Sequence, residues 1–346
     1  MLSLPLMDKK TTARVKELLV SPKKIVIVGH KNPDGDALGS CLGLSFFLNG
    51  LGHKAQVLMP NDFPVFLKWL PGCGNIIIHE KETDKSESLI GGADIIFTLD
   101  FNSLDRVGDM QKYLEQANAK FVMIDHHQQP DDFAVATYSD TGMSSTSQMV
   151  YHFMEALGKL DELSYEIATN LYTGIMTDTG SFRFRSTTAT THRVVARLIE
   201  KGAHNSRIHE AVYDTNTANR LTLLGTALKN LHILPEFNTA YITLTQKELD
   251  AAGFKKGDTE GFVNYALSVQ GVVLAAIFIE HKQDNIVKIS LRSKGRFSVN
   301  DFARKHYHGG GHINAAGGKS LKPLTKTITE FIGILPLHKE ELTHAP

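Results

Sequence analysis

The chain has 346 residues, 42% hydrophobic and 21% charged, with 37 Lys and Arg balanced by 37 Asp and Glu. That length and composition fit about two globular domains and exclude a small disulfide-held module, a disordered chain and a repeat solenoid. Zero net charge argues against tracking long double-stranded nucleic acid through many phosphate contacts, and the longest apolar run, residues 272–279, is far short of the roughly 20 residues that span a bilayer.

The opening Met-Leu-Ser-Leu-Pro-Leu turns charged at Asp8, Lys9 and Lys10, unlike an export signal, so a cytoplasmic location and no membrane partner are expected. A β-branched strand follows at 24–29, then a helix over 39–51 and strands at 55–59, 94–99 and 120–124. Continuous apolar runs separated by helical patterns are what strands buried on both faces of a parallel sheet look like. Residues 1–189 therefore read as an α/β, doubly wound parallel-sheet domain, and 190–211 as a helical linker or hinge broken by Gly202. Residues 212–346 change character: a strand at 239–244, an amphipathic helix at 260–269, two strands flanking the turn at 282–285, and a helix beginning at Ser298. That half reads as a smaller mixed α+β substrate-binding domain. Cys41 and Cys73, the two cysteines, are read as buried structural thiols.

Charge is more telling when divided. Residues 1–200 hold 19 basic and 24 acidic residues, residues 201–346 hold 18 and 13, and 281–312 alone carry seven Lys and Arg against two Asp. A cation-binding half followed by an anion-binding half has this pattern.

Three apolar runs end on metal-type ligands. The first is followed by His30-Lys31-Asn32-Pro33-Asp34-Gly35-Asp36, in which the glycine is read as tightening a turn; the second ends at Asp100 and the third at Asp125-His126-His127. In an open parallel sheet the loops at the carboxyl ends of strands form one crevice, so these groups are expected to meet there. Asp178, after the run 171–176, is expected to join them. The set His30, Asp34, Asp36, Asp100, His126 and Asp178 suits two divalent ions, Mn²⁺ ahead of Mg²⁺ or Co²⁺ because imidazoles accompany the carboxylates. Paired ions of this kind serve phosphoester hydrolysis.

The second concentration is Gly309-Gly310-Gly311-His312-Ile313-Asn314-Ala315-Ala316-Gly317-Gly318. Its glycines allow a backbone to approach an anion closely, and the two alanines are read as permitting a tight helix start. Gly318-Lys319-Ser320 is not the end of a P-loop, because the upstream glycine position is Ile313.

As an ordered set, His30-x-Asn32-Pro33-Asp34-x-Asp36, Asp100, Asp125-His126-His127 and Thr177-Asp178-Thr179-Gly180-x-Phe182-Arg183 resemble the four motifs of the DHH phosphoesterases. Arg292-Ser293 and the Gly309–Ala316 stretch resemble that family's associated C-terminal domain, with His308 where relatives often carry a fourth glycine. The resemblance runs from about residue 20 to 335. It implies that His30, Asp34 and Asp100 hold one ion and Asp36, Asp100, His126 and Asp178 the other, with Asp100 bridging. It also implies catalytic roles for Asp100, for Asp125 as the partner orienting its neighbouring His126, and for His127 facing the scissile phosphate. Arg106, Arg292, Ser293, Gly310, Gly311 and His312 would contact substrate. The implied activity is that of the family's compact members: metal-hydroxide attack on short oligoribonucleotides (nanoRNA), releasing mononucleotides, or on 3′-phosphoadenosine-5′-phosphate, releasing AMP. Alternatives are a linear or cyclic dinucleotide phosphodiesterase and a non-catalytic nucleotide-binding regulator. A homodimer is left open.

Overall fold

A computed structural model describes residues 7–344. The chain divides into two units, Met1–Thr215 and Asn216–Pro346.

In the first unit, β1 (Lys24–Val28), β2 (Lys54–Met59), β3 (Ile77–Ile78), β4 (Ile95–Leu99), β5 (Lys120–Asp125) and β6 (Ala136–Ser139) form one sheet in the order β3-β2-β1-β4-β5-β6. Every neighbouring pair is parallel. The β-branched runs of β1 and β4 take the centre, where both faces are covered and apolar side chains predominate. The chain winds outward from β1 to β3, returns, and winds the other way from β4 to β6. The switch point therefore falls between the carboxyl ends of β1 and β4, where His30 and Asp100 emerge. The short edge strands β3 and β6 are not among the expected strands.

The helices are α1 (Lys9–Leu18), α2 (Gly35–Gly50), α3 (Thr83–Gly91), α4 (Gln111–Glu115), α5 (Thr146–Ala156), α6 (Tyr165–Asp178), α7 (Ala189–Glu200) and α8 (Asn205–Tyr213). Helices α2, α5 and α6 enclose a core that includes Leu38, Phe47, Phe97, Phe153, Leu171 and Ile175. Each such side chain contributes about 1.5–3 kcal/mol when fully buried. Helix α2 begins at Gly35, four residues before its expected start, because Asp34 caps it: the Asp34 carboxylate accepts the backbone N–H of Asp36 and of Ala37, both at 3.0 Å. Gly35 is thus helical, and the reading of it as a turn glycine is corrected. Glycine is needed there because a Cβ would fall 2.3 Å from Thr177 Oγ1 on α6. Residues 190–211, expected as a linker, belong to α7 and α8 of the first unit, with Gly202 at φ +102° between them.

The second unit contains α9 (Ala218–Lys229), β7 (Leu231–Leu234), β8 (Thr239–Leu244), α10 (Gln246–Ala251), α11 (Phe262–Leu267), β9 (Leu274–His281), β10 (Ile286–Ser293), α12 (Val299–His306), β11 (Gly310–His312), β12 (Ala315–Ser320), α13 (Leu324–Ile334) and α14 (Lys339–Thr343). Its sheet runs β11-β12-β10-β9-β8-β7, antiparallel throughout except for the parallel pair β8 and β9. The expected helix start at Ala315 and Ala316 is corrected: both residues lie in β12, and the glycine stretch is a hairpin. The Gly311 N–H is taken by Asn300 Oδ1 and the Gly309 N–H by the Ala303 carbonyl, both from α12, so neither is left open as at a helix start. Among the described residues, no helix is long and apolar enough to cross a membrane.

Candidate active site

Beyond the carboxyl ends of β1, β4 and β5, the first unit gathers all six ligand candidates around Asp100. His30 Nε2 lies 3.5 Å from Asp100 Oδ2 and 3.9 Å from Asp34 Oδ1. His126 Nε2 lies 3.5 Å from Asp100 Oδ1, 3.5 Å from Asp178 Oδ2 and 3.9 Å from Asp36 Oδ2. The ligand atoms of His30, Asp34 and Asp100 all lie within 4.8 Å of one another, as do those of Asp36, His126 and Asp178. Asp100 stands between the two groups, and its backbone takes the left-handed conformation, φ +65°.

The backbone dictates which imidazole nitrogen faces inward. His30 Nδ1 is 2.9 Å from the Lys31 carbonyl and His126 Nδ1 is 3.3 Å from the Met143 carbonyl. A carbonyl can only accept, so each Nδ1 carries a proton and each Nε2 faces the carboxylates, donating to them while the ring is protonated and exposing its lone pair once that proton leaves. That is the arrangement of a histidine prepared to bind a cation.

Asp36 is held from a direction the sequence did not disclose. The N-terminus of α5 donates Thr146 N–H to Asp36 Oδ2 at 2.6 Å and Ser147 N–H to Oδ1 at 2.8 Å, while Thr146 Oγ1 donates to Asp100 Oδ1 at 3.0 Å. Orphan N–H groups and the positive end of the helix dipole favour a carboxylate in that position. Gln148, the next residue, is buried and accepts from Ser144 Oγ at 2.5 Å and Thr191 Oγ1 at 3.0 Å, bracing the same segment. Ser145 caps α5, and a serine followed three residues later by glutamine ahead of an apolar run is a recognisable helix-start pattern. That pattern was the available signal for these residues. Asn61, after β2, accepts the Asn32 N–H at 2.7 Å and returns its amide to Asn32 Oδ1 at 3.2 Å, so it clamps the loop between His30 and Asp34 where Asn32 sits at φ +58°. No local pattern marks Asn61.

Asp125 is corrected. It does not orient His126, whose Nδ1 is occupied by Met143; it holds His127, whose ring Nδ1 lies 2.7 Å from Asp125 Oδ1. Adjacent residues leaving a strand point to opposite sides, so only the second histidine of the pair can turn back onto the aspartate. Arg106 sits in the 3₁₀ segment Leu104–Met110 with its side chain exposed, and its carbonyl accepts the Lys31 N–H at 2.8 Å, tying this segment to the His30 loop.

Ion-free, the cluster is strongly electronegative. Burial pushes Asp178 up to about 6, helped by Asp100 and Asp34. Burial likewise raises Asp36, with Asp100 and Asp178 adding to it. Burial works against a charge on His30 but is outweighed by Asp100 and Asp34, which hold its pKa at about 9; His126 is raised against its burial by Asp100, Asp178 and Asp36. Asp100 is driven below the usual carboxylate range despite its burial, because both imidazoles donate to it. Carboxylates that retain protons beside histidines that gain them make a donor set short of positive charge, which divalent cations with oxygen and imidazole preferences would supply.

In the second unit, Gly310, Gly311 and His312 form β11 opposite Gly317, Ala316 and Ala315. Gly309 admits no side chain, since a Cβ would stand 1.9 Å from the Gly317 carbonyl oxygen, and Gly311 takes φ +152°. Arg292, the last residue but one of β10, lies opposite Ala315. Ser293, expected as a phosphate contact, is 6% exposed, and its hydroxyl donates to the Phe297 carbonyl at 2.7 Å while accepting from Asn314 Nδ2 at 2.9 Å. It braces the turn between β10 and α12.

Residues 24–175 match the model of the DHH family, N-terminal domain, and residues 238–333 match the DHHA1 domain. The chain is 33% identical over 93% of its length to a bifunctional oligoribonuclease and PAP phosphatase NrnA of Thermus thermophilus, covering 91% of that protein. The chain belongs to the DHH family. A second NrnA, from Bacillus subtilis, is 28% identical over 85% of this chain and 88% of its own length. The crystal structure of an exopolyphosphatase-related protein from Bacteroides fragilis superposes with a TM-score of 0.95 at 36% identity, covering 99% of this chain and all of that one. The DHH match contains the ligand candidates His30, Asp34, Asp36, Asp100 and His126, and Asp178 follows three residues after it. The DHHA1 match contains Arg292 and the glycine hairpin.

Proposed function

We propose that this DHH-family chain hydrolyses phosphate esters in short oligoribonucleotides and in 3′-phosphoadenosine-5′-phosphate. The observation that carries the reading is the pair of ligand groups sharing Asp100: His30 and Asp34 on one side, Asp36, His126 and Asp178 on the other. These residues would hold two divalent ions, with Mn²⁺ preferred by the mixed carboxylate and imidazole set. Such ions, when bound, activate water and offset the charge that develops on the phosphoryl oxygens. His127, held by Asp125, would donate a proton to the leaving oxygen or stabilise charge beside it. Arg106, Arg292, Gly310, Gly311 and His312 would contact the substrate's phosphates. The substrate class follows the relatives named bifunctional oligoribonuclease and PAP phosphatase, one of them 33% identical across nearly the whole chain. We assign catalysis to the first unit and substrate anchoring to the second. We place the activity in the cytoplasm, where the buried free thiols Cys41 and Cys73 stay reduced.

The test is Mn²⁺-dependent turnover of a 5′-phosphorylated RNA dinucleotide and of 3′-phosphoadenosine-5′-phosphate, with Asp100→Asn as the control. Release of mononucleotide or inorganic phosphate by the parent alone is the expected result. Parent protein that binds Mn²⁺ yet leaves both compounds intact would overturn the reading.

A further inference from the structure

We infer that Arg304, on α12, is a specificity-determining residue that pairs with a terminal phosphate of the substrate at the glycine hairpin; this rests on the function proposed above. Three observations within the second unit carry it.

The first is orientation. Asn300, 3% exposed, accepts the Gly311 N–H at 2.9 Å on the same Oδ1 that accepts Arg304 Nε–H at 3.3 Å. One buried amide oxygen thereby fixes the strand and the guanidinium together. An arginine that merely offset the end of a helix dipole would have no need of this tether.

The second is the bare surface beside it. A Cβ on Gly310 would stand 3.6 Å from Arg304 Nε and 3.8 Å from Nη2, so the guanidinium lies along a stretch of backbone that carries no side chain. A planar group beside an uncovered strand leaves room for a phosphate to reach its Nη edge, which is the edge suited to bidentate pairing.

The third is charge. Arg304 is exposed and forms no ion pair among the described residues, and Lys305 adds a second cation to the last turn of α12. Its charge is therefore not taken up by a carboxylate among the described residues. The motif-based reading stopped at Arg292 and His312, because Arg304 lies outside the glycine motif and reaches it only through the fold of α12 onto β11.

The experiment is equilibrium binding to chelator-treated full-length protein, by titration calorimetry, of a 5′-phosphorylated RNA dinucleotide and of its 5′-hydroxyl counterpart. The proteins compared are the parent, Arg304→Gln and Arg304→Lys. Arg304→Gln should weaken the phosphorylated ligand about tenfold or more while changing the hydroxyl ligand less than about twofold, and Arg304→Lys should recover part of the loss. With Mn²⁺ restored, the same variant should raise KM for the phosphorylated substrate and leave kcat unchanged. An unchanged dissociation constant, an equal loss on both ligands, or a parent indifferent to the terminal phosphate would overturn the inference. Hydrolysis by the parent, measured alongside, reports separately on the proposed function.

Discussion

The Asp125 carboxylate grips His127 twice, Oδ1 facing the ring Nδ1 at 2.7 Å and Oδ2 accepting the backbone N–H at 3.0 Å. The pairing fixes the ring's orientation and places a proton on Nδ1, which leaves Nε2 as the nitrogen free to turn toward a substrate. Asp125→Asn keeps the shape and reverses the hydrogen-bond sense at one atom. Turnover should fall about 10²-fold or more while bound Mn²⁺, counted by elemental analysis, stays at the parent level. Loss of metal instead would move Asp125 into the ligand set.

Asp100 is contacted by His30, His126 and Thr146, and its φ of +65° suits aspartate or asparagine but not alanine. Asp100→Asn should therefore fold with a near-parental melting temperature. Its Mn²⁺ affinity should drop more than the ~10–100-fold typical of removing an outer hydrogen-bonding partner, and both ions should weaken together. Retention of one tight site would show that Asp100 does not bridge.

Cation binding must displace protons. The folded, ion-free pKa of His30 is about 9 against 6.5, and that of Asp178 is about 6 against 3.8, so both groups favour their protonated forms in the folded state. Their stabilisation is present at low pH and lost as pH rises, through about 6 for Asp178 and about 9 for His30. Mn²⁺ takes over where the protons leave. The rise in melting temperature on adding Mn²⁺ should grow between pH 5.5 and 8.5, together with proton release detectable in buffers of different ionisation enthalpy. A pH-independent increment would exclude both groups from the ion site.

Gly174→Ala tests the packing of α6 against the site. In an exposed helix the change would stabilise by about 1 kcal/mol. Here the new Cβ would fall 1.9 Å from Ser147 Oγ and 2.8 Å from Asp36 Oδ1. Thermal unfolding should show a loss of about 1–3 kcal/mol, and Mn²⁺ affinity should fall as Asp36 is displaced from the α5 N-terminus. Unchanged stability would mean that Ser147 yields freely.

The sequence by itself determined the parallel sheet, because apolar runs such as 24–28, 95–99 and 120–125 admit no solvated face. It also marked His30, Asp34, Asp36, Asp100, His126 and Asp178, because ligand types clustered at strand ends are conspicuous in one dimension. Only the tertiary structure decided what surrounds them. Thr146 and Ser147 reach Asp36 across more than a hundred residues, Asn61 clamps Asn32 from the neighbouring strand end, and Gly35 and Gly174 are small because other helices approach them. The same holds for Asp125, whose choice between two adjacent histidines rests on which way each side chain leaves β5, and for Ser293, whose hydroxyl is taken by Phe297 and Asn314. Periodicity and residue chemistry are local properties and can be read along the chain. Hydrogen-bond partners and close approaches depend on which segments the fold brings together, and no local pattern encodes that.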